Sequence, residues 1–67
     1  MLLERIKALC NKKNIKIKSM EKELGLGNGT IGKWKTTSPS ADNLYAVANY
    51  LGTTMEYLMG VEPEKTE

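Results

Sequence analysis

The sequence of 67 residues predicts an all-α domain. No segment alternates apolar and polar residues as a half-buried strand does, and apolar residues instead recur three and four apart along most of the chain. Residues that stop helices, Asn14, Gly25, Pro39, Gly52 and Gly60, divide these apolar stripes into five stretches. A chain of this length holds one domain, near the lower size at which a single hydrophobic core folds unaided.

Leu3, Ile6, Leu9 and Cys10 form the stripe of a first helix, which stops near Asn14, a residue that tolerates the left-handed conformation of a helix end. Ile17, Met20 and Leu24 continue at the same spacing in a short second helix closed by Gly25. Ile31 and Trp34, three apart, anchor a third helix over roughly residues 28–36. "TTSPS" then reads as a polar loop broken by Pro39. Ser40 caps a fourth helix whose buried face is Leu44, Val47, Ala48 and Leu51, and Gly52 closes it. Thr53 or Thr54 caps a last helix of about two turns through Met59, with Met55 and Leu58 inward and Gly60 at its end. Residues 1–60 are thus expected to form the domain, and 61–67, "VEPEKTE", a polar and flexible tail. Two short helices joined by a glycine turn, with Leu26 buried in it, make a helix-turn-helix unit.

Composition narrows the chemistry. One cysteine and no histidine leave no internal disulfide, no nitrogen–sulfur metal site and no Cys–His pair, so an enzyme is not expected. Leu2 and Leu3 are followed at once by Glu4 and Arg5, and no apolar run approaches a membrane span, which points to a soluble, cytoplasmic chain without a membrane partner. The formal charge of +2 is unevenly placed: residues 1–35 carry nine of the ten Lys/Arg against three acids, and residues 36–67 carry one against five. A basic half beside an acidic half suggests a surface directed at a polyanion; the alternative is ordinary solvated helix faces.

"GNGTIG", residues 27–32, fits the G-x-G-x-x-G phosphate fingerprint of dinucleotide-binding proteins. That site needs a preceding strand, a βαβ unit and an acid roughly 20 residues later. Here the preceding stretch is helical and the nearest downstream acid, Asp42, is fifteen residues from Gly27, so no cofactor is expected. Asn28-Gly29 is also a hairpin turn signal, but neither flank alternates. On a wheel of about 100° per residue, Ile31 and Trp34 point one way, while Gly29, Gly32, Lys33 and Thr36 point the other. Glycines here lower helix stability by about 2–3 kcal/mol relative to alanine. Either they merely loosen a helix start, or a face stripped of side chains lets the backbone and the leading amides approach phosphates and base edges.

"RIKAL", "MEKELGLGNGTIGKW" and "PSADNLYAVANYLGTTMEYLMG", taken together over residues 2–60, resemble the lambda-type repressor and Cro (XRE-like) helix-turn-helix family. The resemblance implies a compact fold of five helices, with the helix-turn-helix formed by helices 2 and 3. It also implies a function: sequence-specific binding of double-stranded DNA through helix 3 in the major groove, as homodimers on operators with two-fold symmetry. Three departures stand out. Ile17 replaces the glutamine that holds a phosphate at the start of helix 2, leaving Lys16 and Lys18 on either side of it to mark that phosphate position. Glu21 stands where the family packs a small residue, so either the helices splay or its carboxylate snorkels outward. Cys10 and Lys35 stand where the family often has an ion pair, which frees Lys35 for a phosphate.

Candidate base contacts are Asn28 and Lys33, suited to adenine and guanine edges, with Gly29 and Gly32 on the same bare face. Asn28 also suits a helix cap, and the two roles are compatible. Thr30, Lys35, Thr36, Thr37 and Ser38 are further candidate phosphate contacts. Ile31, Trp34 and Cys10 read as core. Met55, Tyr57, Leu58, Met59 and Val61 give the last helix enough apolar surface for a dimer interface, unless they only close the core. The expected function is a prokaryotic or phage transcriptional regulator, a repressor by preference. The alternative is a protein-interaction module on the same fold, such as the antitoxin of a toxin pair.

Overall fold

The computed structural model describes residues 2–61, and all of its regular structure is helical. In chain order it contains α1 (Leu2–Lys12), α2 (Ile17–Glu23), a short 3₁₀ helix (Ile31–Lys35), α3 (Ala41–Leu51) and α4 (Met55–Met59). The expectation of five helices is therefore corrected to four α-helices and one 3₁₀ helix among the described residues. The third helix begins at Ile31, not near residue 28. Gly29 is left-handed, with φ 83°, and a residue in that region cannot continue a right-handed helix. The tighter winding also suits the two anchors: at three residues per turn, Ile31 and Trp34 lie directly above one another and both reach the core.

Each α-helix ends in the same way, with a left-handed residue that folds the next amide back onto the last turn. Asn14 has this role after α1, where the Ile15 N–H donates to the Cys10 carbonyl at 2.7 Å. After α2 it is Gly25, φ 74°; the Leu26 N–H donates to the Glu21 carbonyl at 2.8 Å and the Gly25 N–H to that of Lys22 at 3.2 Å. This is the Schellman pairing, and it turns the chain sharply toward the 3₁₀ helix. At the other ends, the Ser40 hydroxyl accepts from the Asn43 N–H at 3.2 Å, and the Thr54 hydroxyl accepts from the Tyr57 N–H at 3.0 Å. Of the two threonines, Thr54 is thus the cap.

Every helix contributes to one core. Ile6, Met20, Ile31, Val47, Leu51 and Leu58 are fully buried, and Trp34 and Leu44 nearly so. α1 packs against both the 3₁₀ helix and α4, and α3 packs against α4. The Arg5 guanidinium lies over the Tyr57 ring, 4.9 Å from its centroid, which adds a cation–π contact between α1 and α4. Cys10 is a buried free thiol, as its place on the apolar stripe of α1 predicts, and burial raises its pKa.

Candidate nucleic-acid interface

One buried side chain ties α2 to the start of the 3₁₀ helix. Glu21, on the last turns of α2, is only 3% exposed. Its Oε1 accepts the Gly29 N–H at 3.1 Å, and its Oε2 accepts the Ile31 N–H at 2.8 Å. The carboxylate therefore does not snorkel outward. It turns inward because the start of the 3₁₀ helix offers unpaired amides, and a buried carboxylate is tolerated only with such partners. Between these two amides, the Thr30 N–H donates to the Gly27 carbonyl at 3.0 Å.

This arrangement corrects three expectations. The 3₁₀ helix has Thr30 as its N-cap with no side-chain capping bond, so Asn28 is not the cap; Glu21 satisfies the leading amides from a neighbouring helix. The amides of Gly29 and Ile31 are already engaged, so they are not open to phosphates. Gly29 itself precedes the helix, in a left-handed turn, and is not part of an α-helical outward face.

The structure leaves Asn28, Gly29, Gly32 and Lys33 exposed. A Cβ built on Gly32 would meet nothing within 4 Å. Lys16, Lys18, Lys35, Thr36, Thr37 and Ser38 are exposed as well, whereas Thr30 and Ile17 are half-buried and Ile17 packs against the core. The Thr37 hydroxyl donates to the Lys33 carbonyl at 2.9 Å, and the Thr36 hydroxyl reaches the same oxygen at 3.5 Å, so both help to close the 3₁₀ helix.

Two lysines not singled out from the sequence join the candidates. Lys22 lines a cleft of about 340 Å³ with Lys18, Glu21, Leu26 and Asn28. Its spacing of four from Lys18, one helical turn on α2, is the signal that would have found it. Lys7 lines a second cleft, of about 460 Å³, with Lys35, Glu4, Trp34, Leu2 and Leu3. Only the packing of α1 on the 3₁₀ helix brings Lys7 beside Lys35, and no local pattern signals it.

A family model described as helix-turn-helix matches residues 6–58. The chain belongs to this lambda-repressor-like helix-turn-helix family. Neither the curated proteins nor the solved structures yield a match. The matched span runs from Ile6 in α1 to Leu58 in α4, so all five helical elements fall within or overlap the helix-turn-helix domain. Membership places the chain among DNA-binding helix-turn-helix regulators. No helix of the described residues is long and apolar enough to cross a membrane.

The apolar residues expected at a helix-turn-helix dimer interface divide into two groups. Leu58 is fully buried in the chain's own core and has no surface to offer, and Met55 and Tyr57 are half-buried against it. Met59 and Val61 are 58% and 69% exposed. The rest of the tail, residues 62–67, lies outside the described residues.

Proposed function

We propose that this chain is a prokaryotic or phage transcriptional repressor that binds operator DNA sequence-specifically as a homodimer. The observation that carries this reading is the exposed pair Asn28 and Lys33, at opposite ends of a segment pinned to the core by Glu21, Ile31 and Trp34. Between them the exposed surface includes two glycines, so nothing stands in front of the two long side chains as the segment enters a major groove. Asn28 suits adenine N6/N7 and Lys33 suits guanine O6/N7, each contact worth about 1–3 kcal/mol of discrimination. Lys16 and Lys18, beside Ile17, together with Lys35, supply phosphate contacts that set the register, joined by Thr30, Thr36, Thr37 and Ser38 through their side-chain oxygens. Met59 and Val61, at the end of α4, supply the exposed apolar surface for a two-fold partner.

Selection of bound sequences from a random duplex pool tests this reading, followed by titration of affinity against salt. The expected product is a two-fold symmetric site with half-sites about one helical turn apart. With about 4–8 phosphates neutralised by a dimer, log K should fall with log salt by roughly 0.9 for each. An unenriched pool, or a flat salt dependence, would overturn it.

A further inference from the structure

The backbone of residues 29–31 has the form of an anion-binding nest. Gly29 is left-handed, with φ 83°, and Thr30 after it is right-handed, with φ −60° and ψ −45°. A pair of this kind turns the first and third amides toward one point, where an anion is held. In this chain that point is filled from within: the two amides donate to the two oxygens of Glu21, at 3.1 and 2.8 Å, and the residue is only 3% exposed. The middle amide, that of Thr30, is engaged with the Gly27 carbonyl. Three successive amides at the start of the reading segment are thus committed inside the protein.

We propose that Glu21 is the positioning residue of the reading segment, an internal anion that occupies the nest of Gly29 and Ile31 in place of a phosphate and fixes the angle at which Asn28 and Lys33 are presented. The inference rests on the DNA-binding reading above. The Gly29 and Ile31 amides are then closed to phosphate, which is left to other groups, such as the side chains of Lys16, Lys18 and Lys35. The bases are read from a segment whose conformation is set before DNA arrives. A buried carboxylate on α2 also ties the orientation of the segment to that of α2, so the two halves of the helix-turn-helix approach DNA as one body.

Glu21→Ala empties the nest and is the decisive variant. In the free protein, the Gly29 and Ile31 amides should exchange with solvent faster by about tenfold or more, which is what loss of one charge-assisted hydrogen bond corresponds to. Inorganic phosphate should then shift the resonances of these two amides in the variant and leave them unmoved in the wild type. On DNA, the ratio of affinity for the selected operator to that for a scrambled duplex should fall by about tenfold, while binding to the scrambled duplex is kept or strengthened. A purely structural role would lower the melting temperature but leave this ratio unchanged below it. Glu21→Gln keeps one acceptor oxygen, so it should fall between the two, and it carries the same readouts if the alanine variant does not fold. Unchanged amide exchange, or an intact operator ratio in a folded variant, overturns the proposal. If the wild type selects no duplex, the DNA-binding reading fails, and the exchange and phosphate measurements still decide whether Glu21 fills the nest.

Discussion

Two glycines three residues apart in "GNGTIG", Gly29 and Gly32, respond to opposite physics. Gly29 holds a left-handed φ of 83°, where any Cβ is strained, so Gly29→Ala should destabilise the domain by about 1–2 kcal/mol even though the space beside it is empty. Gly32 has open space and no left-handed φ, so Gly32→Ala should stabilise the free domain by up to about 1 kcal/mol. Thermal melts of the pair check both signs. Gly32→Leu should also fold, yet lose operator affinity because its side chain meets the groove before Asn28 and Lys33 do. Cys10 gives a further test. Burial raises its thiol pKa, so its contribution to stability is complete below the ordinary thiol value of 9.0 and is lost as the pH rises through the folded value. Between neutral and alkaline pH, the wild type should therefore lose more stability than Cys10→Ala in parallel denaturant titrations. The burial of Ile31, Trp34 and Cys10 was legible from spacing alone. The role of Glu21 was not, because its partners lie eight and ten residues away in a turn that has no periodicity.

At the scale of elements, boundaries marked by special residues were read correctly: Asn14, Gly25, Gly52 and Gly60 are all left-handed helix ends, and Ser40 is a cap. Because each cap satisfies an otherwise unpaired amide, Ser40→Ala and Thr54→Ala should each cost about 1 kcal/mol by chemical denaturation, whereas Thr53→Ala should cost less as far as capping is concerned. The third helix was misread because Ile31 and Trp34, three apart, are compatible with both 3.6 and 3.0 residues per turn. A single i, i+3 pair cannot tell the two apart. The start of the helix is also marked non-locally: Gly29 is left-handed, and Glu21 holds the Gly29 and Ile31 amides on one carboxylate just where the helix begins.

At the scale of the whole molecule, the proposed dimer makes a prediction that separates interface from core. Leu58 is wholly buried, so a charge there would unfold the monomer and show nothing about association. Val61 is 69% exposed, and Val61→Glu should weaken self-association by sedimentation while leaving the helical circular dichroism signal intact. A wild type that stays monomeric at high concentration, both free and on operator DNA, would exclude the dimer. Lys7 belongs to this scale as well. It stands beside Lys35 only because α1 packs on the 3₁₀ helix, so Lys7→Ala should reduce the salt slope of DNA binding by about one if that cleft faces a phosphate.

The sequence by itself determined the helical class, the core stripes, the helix ends and the family, because all of these rest on local spacing, on single residues with special backbone freedom, or on motifs that run along the chain. It also marked Asn28 and Lys33 as the side chains to examine, since their neighbours are small and the surrounding charge is positive. Tertiary structure alone decided how the segment of residues 28–35 is wound, which of its amides are open, and that Lys7 of α1 stands beside it. These features depend on a buried charge and its hydrogen-bond partners. A carboxylate that, from the sequence, either splays two helices or snorkels outward turns inward once the turn beside it offers two amides, and only the three-dimensional meeting of the two shows this.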